Sequence, residues 1–351
     1  MKNNIKTAVV ILNWNGEKML REFLPSVIKY SQIPDTEIYV ADNGSTDNSL
    51  EVLKTFPEVK SIILEKNFGF AEGYNRALEN INSEYFILLN SDVLVTQNWI
   101  EPIISFMESD KKIAAVSPKI KSYTEREKFE YAGAAGGFID KFGYPFCRGR
   151  IISELEKDNK QYEEISEIFW ASGACLFIRA EYYRSAGGLD ADFFAHMEEI
   201  DLCWRLKNKD LKIFYYPFTE VFHVGGATLS VENPFKTFLN FRNNLLLLYK
   251  NLSTSKVFFT IFARLILDGI SGMIYLFSFK FGNFFAVLKS HFAFYLLIPK
   301  FRKKRKDLIS FNKSTHNQIY KRSIVFDFFV LKKKKFSDLS QKFQNTNTQN
   351  K

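Results

Sequence analysis

The sequence predicts an α/β fold: a mainly parallel sheet flanked by helices, followed by a C-terminal helical extension. Three observations predict it. Short apolar runs alternate with segments of helical periodicity from the N-terminus to about residue 118, the pattern of βαβ units. Tyr85 to Leu89 forms an apolar-leaning run that reads as a buried strand and ends in Asn90-Ser91-Asp92. Other runs also stop at polar residues, Asn13 and Asp42 among them, and open α/β sheets bind ligands outside the carboxyl ends of their strands.

Taken in order, residues 7–12 form the first strand. Residues 17–30 place apolar side chains at helical spacing, with Pro25 as a kink. A second strand covers 37–41, and a second helix starts at Asp47, with Ser45, Thr46 and Asp47 as cap candidates. Strands at 61–64, 85–89 and 113–116 then alternate with helices at 70–81 and 97–107. Residues 119–168 lose this rhythm, are rich in Glu, Lys, Gly and Tyr, and read as a variable insertion or a lid. Order returns over 169–179. Gly187-Gly188-Leu189-Asp190 marks a turn, 201–209 a helix, and 212–216 and 220–224 two strands. From Pro234 the chain is helical and increasingly apolar, and its last residues, 341–351, are polar and expected to be disordered.

Charge is unevenly spread. Residues 300–351 carry 15 Lys and Arg against 3 Asp, a net +12, which leaves the other 299 residues at −3 out of the chain's +9. A basic tail on a mildly acidic body calls for an anionic partner at the tail alone. No nucleic-acid recognition module accompanies it, so no nucleic-acid partner is expected. Cys147, Cys175 and Cys203 show no CxxC or Cys/His pairing and are expected to be buried thiols. The apolar run at 8–12 is interrupted by Asn13 before it reaches the length of a secretory signal, so the protein is expected to stay in the cytoplasm.

Asp92, at a strand end, suits a hard divalent cation, and Glu198-Glu199-Ile200-Asp201 supplies a second, distant carboxylate group. Together they suggest metal-assisted transfer with a separate base. Asn13-Trp14-Asn15-Gly16 and Asp42-Asn43-Gly44-Ser45-Thr46-Asp47 are placed to hydrogen-bond a nucleobase and ribose, although either taken alone is an ordinary polar turn. The loop from Asn67 to Asn75 brings Gly69, Gly73 and two asparagines to the start of a helix, where phosphate is favoured. It lacks the dinucleotide and P-loop glycine spacings.

The ordered series Val10-Ile11-Leu12-Asn13-Trp14-Asn15-Gly16, Asp42-Asn43-Gly44-Ser45-Thr46-Asp47, Asn67-Phe68-Gly69-Phe70-Ala71 and Leu89-Asn90-Ser91-Asp92 resembles family 2 glycosyltransferases. These are inverting enzymes of the GT-A fold that use nucleotide-diphosphate sugars. The likeness continues through Trp170-Ala171-Ser172-Gly173-Ala174, Gly187-Gly188-Leu189-Asp190, Glu198-Glu199-Ile200-Asp201 and His223, over roughly residues 5–250. The branch most resembled contains rhamnosyl- and galactofuranosyltransferases of cell-surface polysaccharide assembly.

The resemblance implies roles. Asp42 would read the base with Asn13 beside it, and Asn67, Gly69 and Asn75 would lie along ribose and diphosphate. Asn90-Ser91-Asp92 takes the place of the family's DxD element, with Asn90 departing from the acidic pattern. Asp92 would ligate Mg²⁺ or Mn²⁺, and His223 would complete the metal site. Glu199 would be the general base, ahead of Glu198 as the second catalytic candidate, with Asp201 on the acceptor side. Trp170 and Gly173 would border the acceptor pocket. The donor expected is a UDP- or dTDP-sugar and the acceptor a glycan or lipid-linked saccharide. The rival reading is a catalytically silent relative that binds nucleotide-sugar or glycan as a scaffold.

Two long apolar segments, 257–279 and 281–298, carry Arg264, Asp268, Lys289 and His291 at mid-segment. Such charges are costly in lipid, so two amphipathic helices lying in the membrane interface are expected, anchored by Lys300 to Lys306 and by Lys332 to Lys335 on an anionic surface. Ten Phe residues between 257 and 294 support that contact. Packing on the catalytic domain, or on a second copy of the chain as a homodimer, is the other candidate. The expected organisation is a GT-A catalytic domain over 1–230, divided at 118/119 into nucleotide-sugar and acceptor halves. An apolar helical region over 231–299 and a basic tail over 300–351 follow.

Overall fold

The computed structural model describes residues 5–225, 233–308, 316–340 and 343. In the N-terminal half, β1 (Ile5–Asn13), α1 (Glu17–Tyr30), β2 (Thr36–Asn43), α2 (Ser49–Lys54), β3 (Lys60–Leu64), α3 (Gly69–Leu78) and β4 (Ser83–Asn90) alternate as the periodicity predicts. α1 continues through Pro25 and buries Leu20, Phe23, Leu24, Val27 and Ile28, one stripe of an amphipathic helix. α2 begins after Asp47, whose Oδ1 accepts from Ser49 N at 3.0 Å while Oδ2 accepts from Glu17 N at 3.0 Å. That carboxylate therefore caps α1 as well.

β5 (Val93–Leu94), α4 (Glu101–Ser109), β6 (Ile113–Ser122), β11 (Ser166–Glu167), β12 (Cys175–Arg179), α5 (Ala180–Ser185), α6 (Glu198–Asn208) and β13 (Lys212–His223) complete the main sheet and its helices. Its order is β11-β13-β6-β12-β4-β1-β2-β3, with β5 on β13. β1 pairs in parallel with β2 and β4, whereas β12 runs antiparallel to both neighbours. The order reverses at β1, so the carboxyl ends of β1, β2 and β4 open a crevice there. Strand alternation divides the core between two faces. Val9, Ile11, Ile87 and Leu89 meet α1 and α4, while Ala8, Val10, Phe86 and Leu88 meet α3, α5 and α6.

Residues 119–168 are more regular than their composition suggests. β6 extends into them, and β7 (Gly137–Asp140), β8 (Pro145–Cys147), β9 (Arg150–Ile151) and β10 (Glu154–Leu155) build a second sheet. Its remaining strand is β14 (Ile319–Tyr320), parallel to β7 and drawn from the basic C-terminal region. The separate strands expected at 212–216 and 220–224 are one strand, β13, whose register against β6 shifts between Tyr216 and Glu220. α6 starts at Glu198, earlier than expected, because all three acidic residues fall in its first turn, where the helix dipole favours them. Cys147, Cys175 and Cys203 are buried and free.

α7 (Pro234–Asn251) leads into a hairpin of α8 (Thr254–Phe277) and α9 (Phe281–Leu308); a short α10 (Ile324–Phe329) follows β14. α9 runs straight through the 299/300 boundary, so Lys300 to Lys306 form its last turns. α8 and α9 are long and apolar enough to cross a membrane, with mean hydropathy 1.8 and 1.4. Of their mid-segment charges, Arg264 and Asp268 are buried against the protein, whereas Lys289 is exposed. Arg264 Nη2 meets Asp268 Oδ1 at 3.1 Å, its Nη1 donates to Phe142 O at 3.0 Å, and the guanidinium lies 3.8 Å from the Tyr144 ring centroid. Phe258, Phe259, Phe277 and Phe279 point outward, each at least 71% exposed. The polar end at 341–351 lies outside the described residues, apart from Phe343, whose ring packs on Phe138 and Phe336.

Candidate active site

Parallel register sets Asn13 beside Asp42 and Leu12 beside Asn90, bringing three polar strand ends to the crevice. Asn13 Nδ2 donates to Asp42 Oδ2 at 3.0 Å and to Ser45 Oγ at 3.3 Å, while Asp42 Oδ1 accepts from Ser45 N at 2.9 Å. Asn13 Oδ1 is buried with no partner, a polar atom turned toward the crevice floor. Gly16 is required there, because a Cβ would collide with that oxygen.

The loop before α3 is more self-contained than expected. Asn67 Oδ1 accepts from Gly69 N at 2.8 Å, and Asn43 Nδ2 donates to Asn67 Oδ1 at 3.2 Å and to Gly69 O at 3.0 Å. Gly69 has φ +79, and a Cβ would strike the Phe194 ring. The carbonyl of Phe194 accepts from Phe70 N at 2.7 Å and Ala71 N at 3.2 Å, which occupies the donors a phosphate would use. Asn75 lies elsewhere. Its amide donates to Leu189 O at 2.7 Å and accepts from Leu189 N at 3.0 Å and Tyr183 Oη at 2.7 Å. It is a clamp on the turn at 187–189, so its expected place along the diphosphate is corrected.

β5 brings the metal candidates together, since Val93 pairs with His223. His223 Nε2 lies 3.1 Å from Asp92 Oδ1, and the Asn90 side-chain amide lies 3.3 Å from the same nitrogen. Behind the ring, Nδ1 faces Glu130 Oε1 at 3.3 Å. Burial alone would lower the imidazole, but the charge of Glu130 and the hydrogen bonds of Asp92 and Glu130 outweigh it, pushing His223 up to about 10. Burial alone would raise Asp92, but its hydrogen bond and charge contact with His223 hold it below the ordinary carboxylate range.

This donor set fits a divalent cation: a carboxylate oxygen and an imidazole nitrogen side by side, with a carboxylate behind the histidine as metal-binding histidines usually have. Among the described residues no third His, Cys, Asp or Glu joins them as a ligand cluster. The remaining positions suit ligand oxygens and water. Ser91 follows β4 between Asn90 and Asp92, half-buried at the crevice.

The second acidic group divides into three environments. Asp201 is fully buried and accepts from Arg205 Nε at 2.8 Å, Lys250 Nζ at 2.8 Å and Asn251 Nδ2 at 2.8 Å. It joins α6 to α7 and is not an acceptor contact, which corrects the expectation. Glu198 is buried with Oε2 unpartnered, and burial together with the Glu199 charge pushes it well above its ordinary value. Glu199 keeps part of its side chain open while its Oε2 is buried without a partner, and burial pushes it up to about 7.

Gly173 lies beside Glu199: a Cβ there would be 4.0 Å from Glu199 Cβ and 3.3 Å from the Phe70 ring. Next to it, Ala174 O accepts from Asn90 N at 3.0 Å, so one backbone step connects the two acidic centres. Trp170 does not border this space. It is buried, donates to Phe138 O at 2.9 Å and packs against Gly137, which corrects its placing at the acceptor pocket. His196 is half-buried with its Nε2 enclosed and unpartnered, and it is held down at about 4 by burial and the nearby Lys236 charge.

Two polar residues of the site escaped sequence reasoning. Glu130 sits in no motif, and no local signal marks it. Asn243 did carry a signal: Arg242-Asn243-Asn244 runs directly into the apolar Leu245–Leu248, and buried polar groups in such a place must have partners.

Residues 8–185 match the model of glycosyl transferase family 2. The N-acetylglucosaminyl-diphospho-decaprenol L-rhamnosyltransferase of Mycobacterium tuberculosis is 24% identical over 234 residues, 61% of this chain and 75% of the relative. The low-salt glycan biosynthesis hexosyltransferase Agl10 of Haloferax volcanii is 21% identical over 244 residues, 68% of this chain and 74% of the relative. Among solved structures, GalNAc-T7 with UDP, GalNAc and Mn2+ superposes with TM-score 0.54 at 18% identity, over 71% of this chain and 48% of that one, about half its length. The mannosyltransferase from Pyrobaculum calidifontis in complex with GDP-Man and Mn2+ gives 0.50 at 13% identity, over 88% and 86%. At such identities these two likenesses concern the fold, which is that of GT-A enzymes.

Proposed function

This chain belongs to glycosyl transferase family 2, and from that premise we propose that it transfers a hexosyl or deoxyhexosyl unit, with inversion, from a nucleotide-diphosphate sugar to a hydroxyl of a glycan or lipid-linked saccharide. The observation that carries the mechanism is Glu199: a buried carboxylate without a cation partner, beside a glycine and near the end of β4. A base whose pKa lies near 7 is ionised often enough to accept the acceptor's proton and basic enough to hold it. Burial and the charge of Glu199 push Glu198 well above its ordinary value, which disfavours a second charge beside the ionised Glu199.

Asp42 and Asn13, already fixed to each other, would present a rigid edge to the nucleotide base. Asp92 and His223 would hold Mg²⁺ or Mn²⁺, which when bound supplies positive charge to the departing diphosphate; the imidazole favours Mn²⁺. UDP- and dTDP-sugars are the donors favoured here, and the rhamnosyltransferase relative supports a lipid-linked acceptor.

The hairpin supports a site of action at the cytoplasmic membrane surface. Its outward face is largely apolar, with Arg264 and Asp268 buried against the protein, while Lys303 and Lys306 extend from the end of α9. This is the build of an element lying in the interface of an anionic bilayer. Release of nucleotide diphosphate from a donor panel with Mn²⁺ tests the transfer reading. Wild type above background and Glu199→Gln at background support it, and equal background rates in both sink it. Unchanged sedimentation of Phe258→Ser/Phe259→Ser with anionic vesicles would count against the membrane reading.

A further inference from the structure

The segment between α5 and α6 is strained just before the base. Phe194, His196 and Met197 have φ of 67, 69 and 76, a left-handed conformation that non-glycine residues persist in only when their surroundings over-determine it. One side chain gathers three carbonyls of this turn. Asn243, fully buried on α7, places Nδ2 2.9 Å from Phe193 O, 2.8 Å from Ala195 O and 2.8 Å from His196 O.

Its amide is oriented by its neighbour. Arg242 Nε donates to Asn243 Oδ1 at 2.9 Å, so the nitrogen is turned to the carbonyls, and Arg242 Nη2 donates to Phe193 O at 3.0 Å and Asp192 O at 3.2 Å. The same turn caps α3 through Phe194 O and leads without a spacer into Glu198 and Glu199.

We propose that Asn243 is the positioning residue of the base: its amide holds the 193–197 turn in the one shape that aims Glu199 at the acceptor hydroxyl, and Arg242 sets the amide. The proposal rests on the reading of Glu199 as base and extends it to a helix outside the family-matched segment. Asn243 touches no reacting atom. It acts by fixing where α6 begins and therefore how deep the Glu199 carboxyl lies among the groups that face it, which are Glu198, Cys147 and Cys203.

The test compares Asn243→Asp, Asn243→Ala, Arg242→Gln and Asn244→Ala in the full chain, measuring kcat, KM for donor and the pH profile of kcat/KM. Asn244 is the control. It lies on the same helix and donates to Gly143 O at 2.7 Å, with Arg264 on its oxygen, and it meets the turn only at the Met197 sulfur, 3.9 Å away, not at the backbone carbonyls that Asn243 holds. Both Asn243 variants are expected to lose roughly tenfold to a hundredfold in kcat, the scale of a small misplacement of a reacting group. Donor KM should stay within twofold, and the base's apparent pKa should move from near 7 toward that of an ordinary glutamate. Arg242→Gln should lose less, and Asn244→Ala should keep wild-type kcat and pH profile even if its melting temperature falls.

Wild-type kcat and profile in the Asn243 variants would overturn the proposal, as would an equal kcat loss in Asn244→Ala. If both Asn243 variants fail to fold, Arg242→Gln decides by the same two readouts. Glu199→Gln keeps the two readings apart: inactive Glu199→Gln with normal Asn243 variants removes the clamp alone, and active Glu199→Gln removes the base.

Discussion

The end of β4 and the start of α6 both bury carboxylates, and their environments drive them in opposite directions. At β4, Asp92 faces His223 at 3.1 Å and stays ionised below the ordinary range. At α6, Glu199 has no cation and rises to about 7. Desolvation is present in both; the sign is decided by whether a cation was built in. A carboxylate with a fixed cationic neighbour is kept ionised, and one without is set up to exchange a proton. Asp201, two residues after Glu199, is electrostatically of the first kind, since Arg205 and Lys250 hold it low.

The largest break in that comparison comes from Glu199→Gln, expected to cost about a hundredfold to ten-thousandfold in kcat with an unchanged circular dichroism spectrum. In wild type the base must be deprotonated, so kcat/KM should rise with pH through about 7 and then level. Next is Asp201→Asn, which leaves the buried Arg205 without a carboxylate while Lys250 keeps only Asp190. Denaturant unfolding should show a loss of about 3–5 kcal/mol. Because the folded carboxyl is depressed, this stabilisation is present above its ordinary pKa and is lost as pH falls toward the depressed one.

A smaller effect sharpens the β4 side. Glu130→Gln removes the carboxylate behind His223 and should weaken Mn²⁺ binding about 10- to 100-fold by titration calorimetry. The smallest is a slope. His223 holds its proton up to about 10, so that proton competes with the metal, and Mn²⁺ affinity should rise by about tenfold per pH unit between pH 6 and 8. A flat profile would remove His223 from the site.

Strand ends were legible because they are local. An apolar run that stops at Asn or Asp announces both a strand and the crevice at its end, and Asn13, Asp42, Asn90 and Asp92 all lie where such runs end. What failed were roles fixed by long-range packing. Asn75 sits in a glycine-rich loop of phosphate-binding appearance, yet its amide is consumed by Leu189, 114 residues away. Trp170 has the residue type of a sugar platform, but Gly137 leaves a slot that takes its ring into the core. Glu130 reaches His223 across 93 residues of chain with nothing in its neighbours to mark it. The hairpin charges misled in a subtler way: Arg264 and Asp268 look like obstacles to lipid in one dimension, and in three they are the dock against Tyr144 and Asn244.

The second sheet has a consequence for how the chain is made. β7 emerges at residues 137–140, but its parallel partner β14 lies at 319–320, and Ile324 N then donates to Asp140 Oδ2 at 2.9 Å. On a growing polypeptide that edge stays open while some 180 further residues are synthesised, and pairings of such separation form late. Both apolar helices of the hairpin leave the ribosome in that interval, so the last step of folding closes the insertion only after the α8–α9 hairpin is already out. A nascent chain arrested before residue 319 should therefore expose β7 and the Phe138–Phe146 pair to proteases and chaperones, while the β1–β4 half is already shut.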